Sequence, residues 1–219
     1  MSLQDLPATI FDKLSHVGKA LSNAHRLRIL NILSHSEVGV DQLADRLGQS
    51  RANTSTHLKV LRQAHLVSRR REGKRVFYRI ANENALRLWL SLRDTGLAQL
   101  PEVRELMRQY ADDPKRLSLL ADDDVIERAE RGDIVLLDLR KPGEFEAGHL
   151  PHARSIPASE LRERIDELPA EKSIVAYCRG PYCVAEIQSV QALREKGFDV
   201  YRLREDFLEW RAAGGTPVG

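Results

Sequence analysis

The spacing of apolar residues changes along this chain, and that change constrains the fold more than any other feature. In the first hundred residues apolar side chains recur every three or four positions, as Ile10, Leu14 and Val17 do along one predicted helix. Beyond residue 120 short apolar runs alternate with helical patterns. We therefore predict two domains, the first mainly α and the second α/β with a parallel sheet. The ranges predicted as strands or helices of the second domain are 134–139, 160–168, 173–177, 184–196 and 200–203.

The predicted domains are 1–98 and 121–219, joined by a partly helical linker over 99–120. A length of 219 residues is enough for two small hydrophobic cores. No uncharged apolar run approaches the roughly 20 residues that a bilayer requires, so no membrane partner is expected. The chain has no Lys or Arg before Lys13, which is unlike a secretory signal, and we expect a cytoplasmic protein.

Charge is divided unequally between the two predicted domains. Residues 1–100 carry 16 Lys and Arg against 8 Asp and Glu, whereas the rest of the chain carries 18 against 24. Such a division is typical of a module that binds a polyanion joined to one that does not.

The first domain has the order of elements found in a winged helix-turn-helix. A helix over 40–47 stops at Gly48, and Ser50 can cap the next helix, 51–63, whose outer face is polar. A hairpin with six cations in the eleven residues 69–79 follows, a density suited to phosphates. A later apolar helix forms a natural dimer seam with the first helix. The residues expected to contact double-stranded DNA are Ser50, Arg51, Asn53, Thr54, Thr56, His57, Lys59, Arg70, Lys74 and Arg75.

Residues 20–30 and 55–67 resemble the ArsR/SmtB bacterial repressors. The resemblance implies a homodimer whose two recognition helices enter successive major grooves of an operator. His65 stands where this family usually has Gly, and His tolerates the left-handed backbone better than most residues. Gly39 and Asp41 stand where metal-sensing members carry cysteines, so we expect no metal in this domain.

Both cysteines of the chain lie in one loop, 178–183, between an apolar strand and a helix. Backbone N–H groups of a loop entering a helix form an anion nest, here including Gly180 and Tyr182, and lower the pKa of a thiol placed there. Cys178 is therefore a candidate nucleophile; the alternative is a buried structural cysteine.

Residues 138–151 resemble the signature of rhodanese domains. The resemblance implies that Cys178 carries sulfur as a persulfide, received from a sulfane-sulfur donor and passed to a thiol acceptor, with Arg179 orienting an anionic donor. Many active members end this loop with Arg, where this chain has Cys183. His152 also replaces a common Gly.

Cys183 has two interpretations: a small apolar helix residue, or a second catalytic thiol that resolves a modified Cys178. Two cysteines supply only half of a zinc site, and no metal or cofactor is expected. The favoured function is a DNA-binding regulator, a repressor, whose rhodanese domain senses reactive sulfur or oxidants. The alternatives are an active sulfurtransferase with an accessory DNA-binding domain, and a DNA-binding protein whose rhodanese module serves only packing or protein contact.

Overall fold

The computed structural model describes residues 6–111, 115–117, 124–180 and 183–219, and it divides into two compact units, Met1–Arg93 and Asp94–Gly219. The predicted linker 99–120 contains a helix and a two-residue strand, and the rest of it lies outside the described residues.

The first unit combines helices with a small antiparallel sheet. Its elements are α1 (Leu6–Leu21), α2 (Ala24–His35), β1 (Val38–Gly39), α3 (Val40–Leu47), α4 (Arg51–Gln63), β2 (Val67–Glu72), β3 (Arg75–Ile80) and α5 (Glu83–Gln99), which continues beyond residue 93. Leucines from α2, α3 and α4 form its core; Leu30, Leu43 and Leu58 are each at most 1% exposed.

Local sequence determines where the helices around the turn begin and end. Gly48 ends α3 in the left-handed conformation, with φ of 62°, and Ser50 caps α4 by accepting a hydrogen bond from the backbone N–H of Asn53 at 3.2 Å. His65, just after α4, has φ of 57°. The predicted stop, cap and left-handed histidine are confirmed.

The predicted hairpin is part of a three-stranded sheet in the order β1-β3-β2. Strands β2 and β3 pair from Val67 with Ile80 to Glu72 with Arg75, and Gly73 turns the chain with φ of 59°. The edge strand β1, which pairs Val38 with Tyr78, was not predicted because two residues carry no periodicity.

The second unit is built on a parallel sheet. Its elements are α6 (Pro101–Ala111), β4 (Arg116–Leu117), α7 (Asp124–Glu130), β5 (Ile134–Asp138), α8 (Pro142–Glu146), β6 (Arg154–Ser155), α9 (Leu161–Arg164), β7 (Ser173–Tyr177), α10 (Val184–Glu195), β8 (Val200–Leu203) and α11 (Phe207–Ala212). The described strands lie in the order β4-β8-β7-β5-β6. The region 160–168, predicted as one helix, is the short helix α9 followed by a 3₁₀ turn over Ile165–Glu167.

The central strands of this sheet are buried, as expected when helices cover both faces. Val175 and Ala176 of β7 are fully buried, and a bidentate ion pair between Asp138 and Arg140 lies inside the unit at 2.6 Å. His152 has φ of 61° and, like His65, adopts the left-handed conformation. This is the position where the rhodanese domains that the sequence resembles often have Gly. Of the described helices, none combines the length and apolar character needed to cross a membrane.

Candidate functional site

The two cysteines lie against each other at the carboxyl end of β7. Cys178 follows the strand directly and is 1% exposed, whereas Cys183 is the N-cap residue of α10 and is partly exposed. Their Sγ atoms are 2.8 Å apart, and both are free thiols. The contact is short enough that a disulfide between them requires only a small movement.

The loop between the cysteines is turned by Gly180, whose φ is 91° and whose carbonyl accepts a hydrogen bond from the N–H of Cys183 at 3.0 Å. Tyr182, the other residue predicted for the anion nest, lies outside the described residues, as does Pro181. The residue at the helix N-terminus is therefore Cys183, and Cys178 lies at the end of the strand.

The pKa values of the two thiols are displaced in opposite directions. The hydrogen bond with Cys183, burial and the charge of Cys183 all raise the pKa of Cys178. The hydrogen-bonded contact with Cys178 lowers the pKa of Cys183 to about 6, helped by backbone N–H groups of Arg179 and Glu186 and by the Arg179 charge. The direction at Cys178 is opposite to the lowered pKa predicted from the sequence, chiefly because of its contact with Cys183 and then because of burial.

Arg179 is held by a carboxylate from a distant part of the sequence. Its guanidinium donates to both oxygens of Glu144 on α8, with Nε to Oε1 at 2.8 Å, and Glu144 is 6% exposed. This pairing raises the pKa of Arg179 and compensates its positive charge next to the cysteines.

A second ion pair lies behind the cysteines. Arg202 of β8 donates from Nε to Oε1 of Glu186 at 2.8 Å, and both side chains are nearly inaccessible to solvent. Glu186 belongs to the first turn of α10, and its negative charge contributes to the raised pKa of Cys178. Sequence reasoning did not identify Glu144, Glu186 or Arg202, because each pairs with a residue 16 or more positions away.

The outer face of α4 carries most of the polar side chains predicted to contact DNA. Ser50, Arg51, Asn53, Thr56 and Lys59 are exposed. Arg51 also forms an ion pair with Asp41 of α3 at 3.2 Å, both largely exposed.

One residue of α4 faces differently from the prediction. The prediction for Thr54 is wrong: its side chain is fully buried and its hydroxyl donates to the carbonyl of Ser50 at 3.0 Å. Thr54 follows the first turn of α4, where the inward stripe leads on to Leu58 and Leu61.

His57 is half-buried and joins α4 to α2. Its ring stacks on His25 with centroids 5.5 Å apart, and burial, Arg26 and His25 lower its pKa. The Nε2 atom of His25 lies 3.3 Å from the side-chain nitrogen of Gln49 in the turn before α4. The histidine stack therefore packs α4 against α2, and this packing role stands beside the predicted contact of His57 with DNA.

The hairpin cations differ in how far they are already paired. Lys74 and Arg75 are exposed at the tip. Arg70 donates to Glu37 at 2.6 Å and to Glu72 at 2.7 Å, and it lies over the ring of Phe77 at 5.2 Å. The two carboxylates raise the pKa of Arg70 and compensate part of its charge.

No three His, Cys, Asp or Glu side chains group into a metal site within the part of the chain that the structure describes. Two helices of the first unit, α1 and α5, present apolar side chains to solvent. Phe11 and Leu14 of α1 are 69% and 57% exposed, and Leu88 and Leu92 of α5 are 38% and 37% exposed.

Comparison with known proteins accounts for both units. Residues 23–69 match the family of bacterial regulatory proteins named for arsR, and residues 121–213 match the rhodanese-like domain. The chain is 38% identical to the HTH-type transcriptional regulator Rv0324 of Mycobacterium tuberculosis, over 98% of this chain and 96% of that protein. A sulfurtransferase of Allochromatium vinosum is 31% identical over 41% of this chain and 82% of its own length.

Among solved structures, the homodimeric winged helix-turn-helix DNA-binding domain of a possible ArsR-family regulator from Mycobacterium bovis is similar to this chain. It is 35% identical, with a TM-score of 0.43 over 47% of this chain and 93% of that one. The relative from Mycobacterium tuberculosis extends across both units. The chain therefore belongs to the arsR family of bacterial regulatory proteins, in a form that carries a rhodanese-like domain after its helix-turn-helix domain.

Proposed function

We propose that this protein is a homodimeric repressor that binds operator DNA through its first unit and responds to reactive sulfur species through Cys178 and Cys183. The observation that carries the proposal is the 2.8 Å contact between the two Sγ atoms in a chain that also presents a basic winged helix-turn-helix. Two thiols in contact are readily oxidised to a disulfide.

DNA binding is supported by the exposed polar face of α4 and the cations of the hairpin. Asn53 and Thr56 supply side chains that can reach base edges, and Lys74 and Arg75 supply charge for phosphates. The proposed interface contains the residues predicted from the sequence except Thr54, which is buried. Arg70 belongs to this interface although two carboxylates already bind its guanidinium.

The homodimer is supported by the exposed apolar side chains of α1 and α5. Burial of a phenylalanine or leucine stabilises an interface by about 1.5–3 kcal/mol, and Phe11 and Leu14 are among the most exposed large hydrophobic residues described. A dimer also presents two α4 helices to successive grooves.

The residues around the cysteines support a sensing role more strongly than continuous transfer of sulfur. Arg179 is engaged by Glu144, so its charge is not free to hold a dianionic donor such as thiosulfate. Cys183 lies within reach of any sulfur that Cys178 carries and can remove it by forming the disulfide. The sulfurtransferase of Allochromatium vinosum keeps the alternative, an active sulfurtransferase, open to test.

Two measurements test this function. Selection from random duplexes followed by footprinting should give a protected pseudo-palindrome bound by a dimer, with affinity that falls steeply as salt rises. Thiosulfate:cyanide turnover by the same protein should be negligible. Failure to bind any duplex selectively would contradict the proposed regulatory function. Rapid and sustained thiosulfate:cyanide turnover would favour the alternative function, an active sulfurtransferase.

A further inference from the structure

We propose that a groove beside the cysteine loop binds a short peptide thiol that carries an ammonium group and a carboxylate. The groove lies in the second unit between α10 and the segment 158–162, which leads into α9, and it has a volume of about 650 Å³. This inference rests on the proposed function and names the class of thiol that returns the oxidised cysteines to their reduced state.

The position of the groove relative to the cysteines is the first argument. Its wall on α10 begins at Ala185, just after Cys183, which is the N-cap residue of that helix. The opposite wall includes Leu161, which belongs to the same buried cluster as Cys178, and Ala158, which packs against that cluster. Both walls therefore adjoin the part of the core that holds the thiols.

A buried serine in the groove is the second argument. Ser189 lines the groove, is 6% exposed, and its hydroxyl makes no hydrogen bond with any residue that the structure describes. In α4, by contrast, the hydroxyls of Thr54 and Thr56 donate to the carbonyl four residues earlier. A buried hydroxyl costs free energy until it is bonded. Ser189 therefore offers one donor and one acceptor to a ligand in the groove.

The charges of the groove are the third argument. Arg162 of α9 and Glu195 of α10 line it, and neither forms an ion pair within the described part of the chain. The other polar side chains that line it are uncharged hydroxyls and amides: Ser159, Gln188, Ser189 and Gln191. One cation, one anion and neutral hydrogen-bonding groups complement a peptide that carries both charges, and they do not complement an inorganic dianion.

The length of the groove sets the size of its ligand. The wall on α10 extends from Ala185 to Glu195, which is about 15 Å at about 1.5 Å per helical residue. An extended peptide covers about 3.3 Å per residue, so a peptide of about three or four residues fits. An internal segment of a partner protein would bring no terminal charges for Arg162 and Glu195. A small peptide therefore complements the groove better than a protein chain does.

Two such peptides reduce one disulfide between Cys178 and Cys183. The thiolate of the first peptide attacks one cysteine sulfur, the disulfide bond breaks, and the other cysteine leaves with the electron pair and takes up the proton that the peptide released. The second peptide thiolate attacks the peptide sulfur of this mixed disulfide and releases the remaining cysteine in the same way. The cysteines gain two electrons, and the two peptides lose them as a peptide disulfide.

Calorimetric titration of the reduced full chain with S-methylglutathione tests the groove without any sulfur chemistry, since this tripeptide has both charges and no thiol. Arg162→Gln should weaken binding about tenfold for the loss of a charge-assisted hydrogen bond. Ala192→Leu places a larger side chain in the groove and should abolish binding. Lys196→Gln, an exposed cation outside the groove, is the control. A native chain that does not bind the tripeptide, or equal weakening by Arg162→Gln and Lys196→Gln, would overturn the proposal.

Reduction of the diamide-oxidised chain provides the second arm. Glutathione and the uncharged thiol 2-mercaptoethanol are compared at equal thiolate concentration, and mass spectrometry follows loss of the Cys178–Cys183 link. Glutathione should be at least about tenfold faster, because binding holds its thiol at the loop. Arg162→Gln and Ala192→Leu should reduce this advantage and leave the rate with 2-mercaptoethanol unchanged. Equal rates for the two thiols in the native chain contradict the groove as a thiol site. Operator affinity is measured separately: oxidation that leaves it unchanged contradicts the proposed function and not the binding of the peptide.

Discussion

Around the cysteine loop, each charged side chain that the structure describes next to the thiols has a partner of opposite sign. Arg179 is paired with Glu144, and Arg202 with Glu186. The surroundings of the cysteines therefore do not carry a large uncompensated positive charge that would attract a dianionic donor. The two thiols differ in their surroundings, since one is buried in the core and the other lies at a helix N-terminus.

The Glu144–Arg179 pair gives a prediction about donor charge. Glu144→Gln frees the Arg179 guanidinium, so modification of the cysteines by thiosulfate should accelerate relative to modification by a neutral organic trisulfide. The second unit should also lose about 1–3 kcal/mol of stability, because Arg179 is left without its charged partner. Glu146→Gln, an exposed change on the same helix, is the control. An unchanged ratio of the two rates would show that Arg179 does not face the donor.

Neighbouring residues of α4 are predicted to have separable roles. Asn53→Ala should cost about 1–3 kcal/mol of discrimination at one base pair, as expected for a lost base contact. Thr54→Val should leave discrimination intact and destabilise the first unit by about 1 kcal/mol, since the buried hydroxyl bonds the carbonyl of Ser50. Affinities for the operator and its single-base variants measure both. Equal loss of discrimination in the two variants would contradict this orientation of α4.

At the scale of elements, we expect the hairpin between β2 and β3 to supply charge for the phosphates and α4 to supply specificity for the bases. Lys74→Gln with Arg75→Gln removes two phosphate contacts from each protomer of the proposed homodimer. The slope of log affinity against log salt should therefore fall by about 3.6, since each phosphate contact contributes about 0.9. Both residues are exposed at the tip, and Arg87→Gln, an exposed cation of α5, should leave the slope unchanged. A double variant with the native slope would place the hairpin away from the phosphates.

The junction between α4 and β2 is expected to carry backbone strain. His65 has φ of 57°, a conformation that costs an L-residue about 1–2 kcal/mol and glycine nothing. His65→Gly should therefore raise the free energy of unfolding by up to about 1 kcal/mol, and His65→Val should lower it. Urea unfolding followed by Trp89 fluorescence in a Trp210→Phe background isolates the first unit. The opposite order of midpoints would rule out strain at this position.

Elements with several turns or a long apolar run were predictable from the sequence, and very short ones were not. The helices α3 and α4 and the strand β7 follow from periodicity and capping residues. Strands β1 and β6 contain two residues each and exist only through pairing with distant strands. The same limit applies to the site: the loop holding both cysteines was evident, but their relative burial and the Glu144–Arg179 pair depend on tertiary contacts.

For the whole molecule, the proposed function requires that the state of the cysteines changes the affinity of the first unit for DNA. A coupling free energy of about 1–3 kcal/mol, or roughly 5- to 150-fold in affinity, is typical of such linkage. Linkage is reciprocal, so bound operator should in turn make the cysteines harder to oxidise by the same factor. The route that we propose is the segment 99–120, which follows α5 along the chain and precedes the residues that match the rhodanese-like domain.

Operator affinity of the full chain before and after polysulfide treatment tests this account most directly. Mass spectrometry on the same samples should show the Cys178–Cys183 link. The reduced protein should bind tightly, and the treated protein should bind about 5- to 150-fold more weakly, with recovery on reduction. Cys178→Ser with Cys183→Ser should bind equally well before and after treatment. Complete formation of the link with unchanged operator affinity in the native chain would contradict the central claim.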